Sequence, residues 1–329
     1  MRTILFKKTI FITLMSCGLV SCMKEELPVP LKPKGEEKAA SIDMKEDYSL
    51  QIYYSLKYNA IVASNKYTAW DLAFETAPEG WHIVLNGAKF RMAVYPVSKS
   101  FDQVKVADTT GVPSLIDAAS GSLDSTAFGD WRMANKTYVL HRGTDETGKY
   151  LGMMKIQILS VDRLKYKIRF ASIDGSNERQ LEVKKNELFN YSFLSFDDGG
   201  KTVQIEPPKR EWDIVFTKYT HYYSDLDMRY SVVGCLLNSY QSNAGKDTIT
   251  KNFSDISISS ISSVKLQNAI DAIGFEWKSY DLNSGKFSVD ASKHYIIRSG
   301  EEDLWYKLRF IDFYKNGHKG NPHFEYQRL

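Results

Sequence analysis

The sequence predicts an all-β protein, in which mainly antiparallel sheets form two tandem units with one short helix in each. Aromatic residues make up 13% of the 329-residue chain, and they favour sheets, where their rings pair across strands. Segments of alternating polar and apolar residues recur between glycine, proline and Asp-Gly turns. The pattern Trp-Asp-aliphatic-x-Phe occurs twice, in TAWDLAF at 68–74 and in REWDIVF at 210–216.

The two Trp-Asp segments belong to a longer internal repeat. After each comes a glycine-bearing strand, a helix-like segment, a further tryptophan and closing strands, in which KIQI of the first half matches KLRF of the second. Two pairs of tryptophans mark the repeat, at separations of 142 and 146 residues: Trp70 with Trp212, and Trp131 with Trp277. Insertions in surface loops explain the drift. The repeat predicts a first unit at 44–185 and a second at 186–329.

Alternation along a strand gives these repeated segments a physical reason. Residues one, three and five of a strand share one face, so Trp, Leu or Ile, and Phe are predicted to be buried together. The aspartates point away from this face or cap a turn at the strand entrance. We interpret them as structural, because no matched acid or base lies near them in the sequence. The repeated residues are Trp70, Asp71, Phe74, Trp212, Asp213 and Phe216.

The N-terminus predicts a lipoprotein signal peptide at 1–21. Basic residues precede an apolar run of signal-peptide length, which ends in Leu-Val-Ser-Cys, the pattern of a bacterial lipobox. Cys22 is the expected lipidation site and the link to the membrane, and a proline-rich, charged tether follows at 22–43. The motif CMKEE resembles an export signal of Bacteroidota lipoproteins. We therefore expect a lipid-anchored outer-membrane protein that faces the cell surface.

Composition and motifs disfavour other classes of protein. The net charge is +3 with acids and bases interspersed, so nucleic acid is not an expected partner. The chain has neither a glycine-rich phosphate loop nor a His-Glu-x-x-His motif, and we predict that it is not an enzyme. With Cys17 in the signal peptide and Cys22 acylated, Cys235 is the remaining thiol, which we interpret as a small buried hydrophobic residue.

Several segments together resemble the HmuY-like family of Bacteroidota lipoproteins. They are the lipobox with its acidic tether, the WDIVF strand, the glycine-containing strand around Gly234 and the C-terminal run YIIRSGEEDLWYKLRFIDFYKNGHKGNPHFEYQRL. The first half, with WDLAF and KIQILSV, resembles a diverged second copy. The resemblance implies an all-β surface lipoprotein for iron acquisition, which binds haem or a related tetrapyrrole and delivers it to a TonB-dependent outer-membrane transporter. It also implies axial iron ligands of the His or Met type.

One loop in the second half supplies the residue types that a haem site needs, namely axial donors, aromatic rings and a basic group. Within TKYTHYYSDLDMRY, His221 is the candidate ligand of the haem iron. The other candidate ligand-binding residues of this loop are Met228, Tyr222, Tyr223 and Arg229. The same composition also suits an exposed loop that docks on a protein, or a plain hairpin connection.

His141, on the strand YVLHRG, is a further candidate. Met153 and Met154 lie on a predicted neighbouring strand, so a His/Met pair is conceivable. We interpret His82 as structural and NGHKGNP as turn sequence. Two alternatives to haem transport stay open: a non-haem accessory or structural lipoprotein that docks on a transporter or another protein, and a glycan-binding lipoprotein with exposed Trp and Tyr.

Overall fold

A computed structural model describes residues 34–133, 136–300 and 304–329 of the chain. The predicted signal peptide, the lipidation site Cys22 and the first part of the tether lie outside these residues. The predicted all-β class is confirmed, because the described residues form twenty strands and all their pairings are antiparallel.

Most of the strands are short, and four of them have 10 or 11 residues. The first ten are β1 (Glu37–Ser41), β2 (Leu50–Ser55), β3 (Ala60–Lys66), β4 (Leu72–Glu75), β5 (Ile83–Leu85), β6 (Ala93–Val97), β7 (Thr137–His141), β8 (Met153–Val161), β9 (Lys165–Ser172) and β10 (Arg179–Lys184). The other ten are β11 (Tyr191–Ser195), β12 (Lys201–Val203), β13 (Ile214–Tyr223), β14 (Met228–Leu237), β15 (Asn243–Asp247), β16 (Lys278–Asp281), β17 (Lys286–Val289), β18 (His294–Arg298), β19 (Trp305–Lys315) and β20 (His318–Arg328).

Four of the sheets form two β-sandwiches. In the first sandwich, the sheet β10-β9-β8-β7-β6 shares an apolar core with the sheet β12-β11-β4-β5. In the second sandwich, the sheet β1-β20-β19-β18-β15 shares a core with the sheet β14-β13-β2-β3. A third apolar cluster, which includes Tyr53, Ala73, Phe193 and Val215, joins the two four-stranded sheets. The sandwiches therefore pack through these two sheets.

Strand pairing crosses the predicted boundary at residue 185. The early hairpin β2-β3 lies in the second sandwich, where β2 pairs with β13. The later hairpin β11-β12 lies in the first sandwich, where β11 pairs with β4. Each Trp-Asp strand is thus flanked by a hairpin from the other half of the chain. Such long-range pairing is invisible to local sequence patterns.

Asp71 and Asp213 fasten these exchanged hairpins. Oδ2 of Asp71 accepts a hydrogen bond from the Phe196 amide, just after β11, at 2.8 Å. Oδ2 of Asp213 accepts one from the Leu56 amide, just after β2, at 2.7 Å. Both carboxylates are buried. Their role is structural in both halves, because each one satisfies backbone donors that burial would otherwise leave unpaired.

Two buried lysines extend the correspondence between the halves. Lys155 Nζ donates to the Phe101 carbonyl at 2.9 Å, and Lys307 Nζ donates to the Phe253 carbonyl at 2.6 Å. These lysines open the matching KIQI and KLRF segments. The repeated contacts support the predicted duplication, and the exact division into two units stays a prediction.

The predicted shared face of Trp, Leu or Ile, and Phe is only partly right. Leu72 and Phe74 lie in the core of the first sandwich, whereas Trp70 packs in the cluster between the sandwiches. Trp212 lies in that same cluster. The reason is that β4 begins at Leu72, so the strict alternation of a strand does not reach back to the tryptophan.

Two further predictions are refined. Helical structure among the described residues is limited to short 3-10 turns at Tyr67–Ala69, Phe101–Gln103, Leu123–Ser125, Asp197–Gly199, Phe253–Asp255 and Ile258–Ser263. The first segment predicted as a helix, at 113–131, contains four serines and two glycines, residue types that disfavour longer helices. The tether is predicted from the sequence to reach residue 43, but Glu37–Ser41 and Ile42 belong to the folded part of the chain, because β1 pairs along β20 and Ile42 is fully buried. Cys235 is buried and free, as predicted.

Candidate functional site

A cleft of about 990 Å³ brings together most of the predicted haem-site residues. We call it the histidine cleft, and it is lined by His141, His221, Tyr222, Met228, Arg229 and the segment 114–120, among others. His141 ends a strand of the first sandwich, and the other four side chains belong to the hairpin β13-β14 of the second. The volume lies within the range of small-molecule sites.

The hairpin β13-β14 presents these side chains in a fixed register. His221 pairs with Tyr230, Tyr222 with Arg229, and Tyr223 with Met228. Directly paired residues and residues two apart on one strand share a face. His221, Tyr223 and Met228 therefore lie on one face of the hairpin, and Tyr222 and Arg229 lie on the other.

Arg229 bridges the hairpin to the first sandwich. Its guanidinium donates to the Ser114 hydroxyl at 2.9 Å and to the Ser114 carbonyl at 2.5 Å. At the hairpin tip, the Tyr222 hydroxyl donates to Asp227 at 2.7 Å. Tyr222 and Met228 are nevertheless exposed, at 47% and 42%. One wall of the cleft is thus held in place by the bonds between Arg229 and Ser114, and its rim is open and apolar.

His221 is held by aromatic neighbours rather than by hydrogen bonds. Its ring lies edge-on to Tyr223 and Phe275, at centroid distances of 4.7 and 5.2 Å. Its Nδ1 is buried and has no hydrogen-bond partner among the described residues. Burial raises the pKa of the nearby Asp271 carboxyl, and the charge of His221 opposes that rise. An orphaned buried nitrogen of this kind is unusual in a purely structural histidine.

His141 is more constrained. Its Nδ1 accepts a hydrogen bond from the Gly143 amide at 3.0 Å, so in the neutral ring we assign the proton to Nε2. The ring packs on Tyr150 at 4.9 Å, and Met153 lies directly across the strand pair. Burial lowers the pKa of His141, and the charge of Arg91 lowers it further.

Two other histidines have different surroundings. Nδ1 of His294 is also buried with no hydrogen-bond partner among the described residues, so this feature is not unique to His221. His82 Nδ1 lies 2.6 Å from a Glu75 carboxylate oxygen, which fits its structural interpretation. Among the described residues, no group of three or more His, Cys, Asp or Glu side chains could hold a bare metal ion.

The profile of the family described as "HmuY: HmuY protein" matches residues 47–326 of this chain. The chain belongs to the HmuY family. This family is associated with haem binding and uptake, and its proteins are surface-associated. No curated protein matches the chain. Within the described part of the chain, no helix has both the length and the apolar character needed to span a membrane.

One solved structure similar to this HmuY-family chain is that titled "Crystal structure of Apo PinO from Porphyromonas gingivitis". The two share 14% sequence identity with a TM-score of 0.23. The match covers 46% of this chain and 85% of that one.

Membership of the HmuY family allows the cleft to be tested against haem. His221 and Met228 lie on the same face of one hairpin, so they cannot flank an iron atom from opposite sides. His141 lines the same cleft from the first sandwich, but its Nδ1 contact with Gly143 places a proton on Nε2, which is the nitrogen that would have to bind iron. The cleft residues therefore fit a haem held through His221 rather than through His221 and Met228 together. A pairing of His141 with Met153 or Met154 stays a prediction.

Sequence reasoning missed the wall that faces the hairpin. Ser114, Arg91 and Phe275 are brought to the cleft or to His221 by loops remote in sequence. None of these residues sits in a motif. A local signal existed only for the hairpin itself, in its concentration of His, Tyr, Met and Arg.

Proposed function

We propose that this HmuY-family protein binds haem or a related tetrapyrrole in the histidine cleft and does not catalyse a reaction. The main support is that candidate residues from distant parts of the sequence line one cleft. His141 joins the four hairpin residues there, although 80 positions separate it from His221. A planar aromatic ligand needs an apolar slot with a few placed polar groups. The cleft offers aromatic rings, a thioether, two histidines and two arginines.

Each side chain then has a distinct role. His221 would hold the iron through Nε2, because its ring is fixed by packing against Tyr223 and Phe275 and its Nδ1 is buried. Tyr222 and Met228 form the exposed apolar rim against the ring edge. Arg91 and Arg229 supply positive charge for the carboxylate substituents of the ligand. When bound, haem would supply an iron atom for His221 to hold.

Delivery and anchoring complete the proposal. The lipid on Cys22 would hold the protein at the outer membrane, facing the cell surface, and a TonB-dependent transporter would receive the haem. Support for the anchor comes from the lipobox and the tether in the sequence. Support for a docking partner comes from the tip of the hairpin β13-β14, where Leu226 and Tyr230 are exposed at 63% and 54%. The open rim of the cleft would then face the partner.

The test is an absorbance titration of a soluble chain that starts after Lys24, with oxidised and reduced haem. A saturable, red-shifted Soret band is expected, with the high-spin features of a single axial ligand. A flat titration would contradict haem binding.

A second candidate function is favoured by the same exposed tip. Apolar side chains at a hairpin end are typical anchors for protein partners, so the protein could dock on a transporter or another protein without carrying haem. This alternative predicts a flat Soret titration together with co-purification of a membrane partner, and loss of that partner when Leu226 and Tyr230 are replaced by Ser. No comparable feature favours glycan binding.

A further inference from the structure

A second cavity, of about 200 Å³, lies where the two sandwiches pack together. Its walls come from the exchanged hairpins as well as from the Trp-Asp segments, and they include Tyr53, Trp70, Phe193, Trp212 and Tyr219. The segment 116–119 separates it from the histidine cleft and lines both. A tetrapyrrole is far larger than this space, so the cavity is not part of the proposed haem site.

The two tryptophans of the repeat line this cavity, and each has an indole N–H without a hydrogen-bond partner among the described residues. Nε1 of Trp70 and Nε1 of Trp212 are both buried, and neither has a partner among the described residues. Trp212 as a whole is only 7% exposed. Each indole lies edge-on to a ring of the exchanged hairpin, Trp70 to Phe193 at 5.0 Å and Trp212 to Tyr53 at 4.9 Å. A buried N–H without an acceptor costs about 1–3 kcal/mol, and here the cost would be paid twice at equivalent positions.

Two buried carboxyl groups influence which ligand charge the cavity can bind. Asp117 and Glu206 both line it. Asp117 accepts hydrogen bonds from the Leu85 and Ala127 amides, both at 2.6 Å, and Glu206 accepts one from the Tyr191 amide at 2.9 Å. Burial raises the pKa of each carboxyl to about 7. Their oxygens already accept hydrogen bonds from backbone amides, and each carboxyl repels a further anion when it is ionised.

The cavity also contains one cation at its edge. Lys218 lines it, and burial lowers the pKa of its amine. Its Nζ lies 4.8 Å from the centre of the Tyr67 ring, so the charge already has an aromatic partner. The walls are mainly apolar and include six aromatic side chains, two indole donors that have no partner among the described residues, and one lysine.

We propose that this cavity binds a neutral, single-ring aromatic molecule that carries a carbonyl or ether oxygen, and that the indole N–H groups of Trp70 and Trp212 donate to that oxygen. An apolar cavity of about 150 Å³ is large enough for benzene, so one substituted ring matches the space. Water is the competing occupant, since the volume would hold about six molecules at ~30 Å³ each. A ring with an acceptor oxygen satisfies both the aromatic walls and the orphaned donors, which water does only in part.

Three small probes of similar size test this assignment on the soluble chain by calorimetry and tryptophan fluorescence. Acetophenone is neutral and carries an acceptor, toluene lacks the acceptor, and benzoate is anionic. Acetophenone is expected to bind, toluene to bind about 3- to 10-fold more weakly, and benzoate not to bind. No binding of acetophenone at about 10 mM, or stronger binding of benzoate, would overturn the assignment.

Matched variants locate the binding. Trp212→Phe keeps the ring but removes the donor, and it should weaken acetophenone about 3- to 10-fold. Val84→Phe fills the cavity and should abolish binding, whereas Trp305→Phe, in a separate apolar cluster, should leave it unchanged. Trp70→Phe replaces Trp212→Phe if the latter lowers the thermal midpoint. Binding that persists in Val84→Phe would place the probe elsewhere and overturn the assignment. The haem titration is independent of these variants, because neither Val84 nor Trp212 lines the histidine cleft.

Discussion

The carboxylate of Asp71 accepts a 2.8 Å hydrogen bond from the amide of Phe196, a residue 125 positions later in the chain. This bond fastens the hairpin β11-β12 to the Trp-Asp segment of the other half. Asp213 makes the equivalent bond to Leu56. The repeated Trp-Asp pattern therefore marks the two points at which the halves of the chain interlock.

Replacement of Asp71 by Asn should strongly destabilise the fold. Asp71 is fully buried, and it pairs with Lys89 at 2.8 Å and with Arg142 at 2.9 Å. Removal of the negative charge leaves the buried Lys89 ammonium without compensation, which costs about 3–5 kcal/mol. Urea unfolding measures the change in the free energy of unfolding. Glu182→Gln, which breaks exposed ion pairs only, should cost less than about 1 kcal/mol. Equal losses of unfolding free energy in the two variants would contradict the role of Asp71 in holding the hairpin β11-β12.

Replacement of Gly234 by Ala should also destabilise the second sandwich. A Cβ at this position would lie 2.5 Å from the Gly274 carbonyl oxygen, which is backbone and cannot move aside cheaply. We expect a loss of about 1–3 kcal/mol from overpacking. Gly87→Ala is the matched control, because its Cβ would meet only the Thr220 amide nitrogen, at 3.8 Å. Thermal unfolding of both variants should show a clear drop for the first alone; two equal midpoints would contradict the close approach.

Stability should pass through a minimum near neutral pH. Asp117 and Glu206 have folded pKa values of about 7, raised by burial from 3.8 and 4.5. Between pH 4 and 7 the folded state therefore binds more protons than the unfolded state, and stability falls as the pH rises. Burial lowers the pKa of Lys278 from 10.5 to about 7. Between pH 7 and 10.5 the unfolded state binds more protons, so stability rises with pH.

Three variants test which groups cause the fall of stability between pH 4 and 7 and the rise above pH 7. Asp117→Asn and Glu206→Gln should each flatten the fall between pH 4 and 7, and Lys278→Met should flatten the rise above pH 7. Denaturant unfolding at half-unit pH steps provides the measurement. If the pH dependence of the unfolding free energy is unchanged in all three variants, other groups control it.

The fold could be predicted from the sequence to the extent that its patterns are local. The alternation of polar and apolar residues predicted the strands around Leu72 and Ile214. The turn residues Asn316 and Gly317 predicted the chain reversal there, and both have positive φ. The exchange of hairpins could not be predicted. The bonds from Phe196 to Asp71 and from Leu56 to Asp213 join residues more than a hundred positions apart, and no local pattern specifies such a partner.

The site could be predicted only on its hairpin side. The concentration of His221, Tyr222, Met228 and Arg229 in one short stretch indicated a binding loop. Their division between two faces depends on the register of β13 with β14, which the sequence leaves open. The hydrogen bond that occupies His141 Nδ1 is donated by the backbone amide of Gly143, so the residue type at position 143 does not reveal it.

The most direct test of haem binding in the histidine cleft is the haem affinity of His221→Ala, measured by Soret titration beside His318→Ala. His318 is exposed and pairs with Glu46 at 2.9 Å, away from the cleft. With His221 as the single axial ligand, His221→Ala should bind haem at least about tenfold more weakly than the wild type, and His318→Ala should match the wild type. Equal affinities for the two variants would contradict the account.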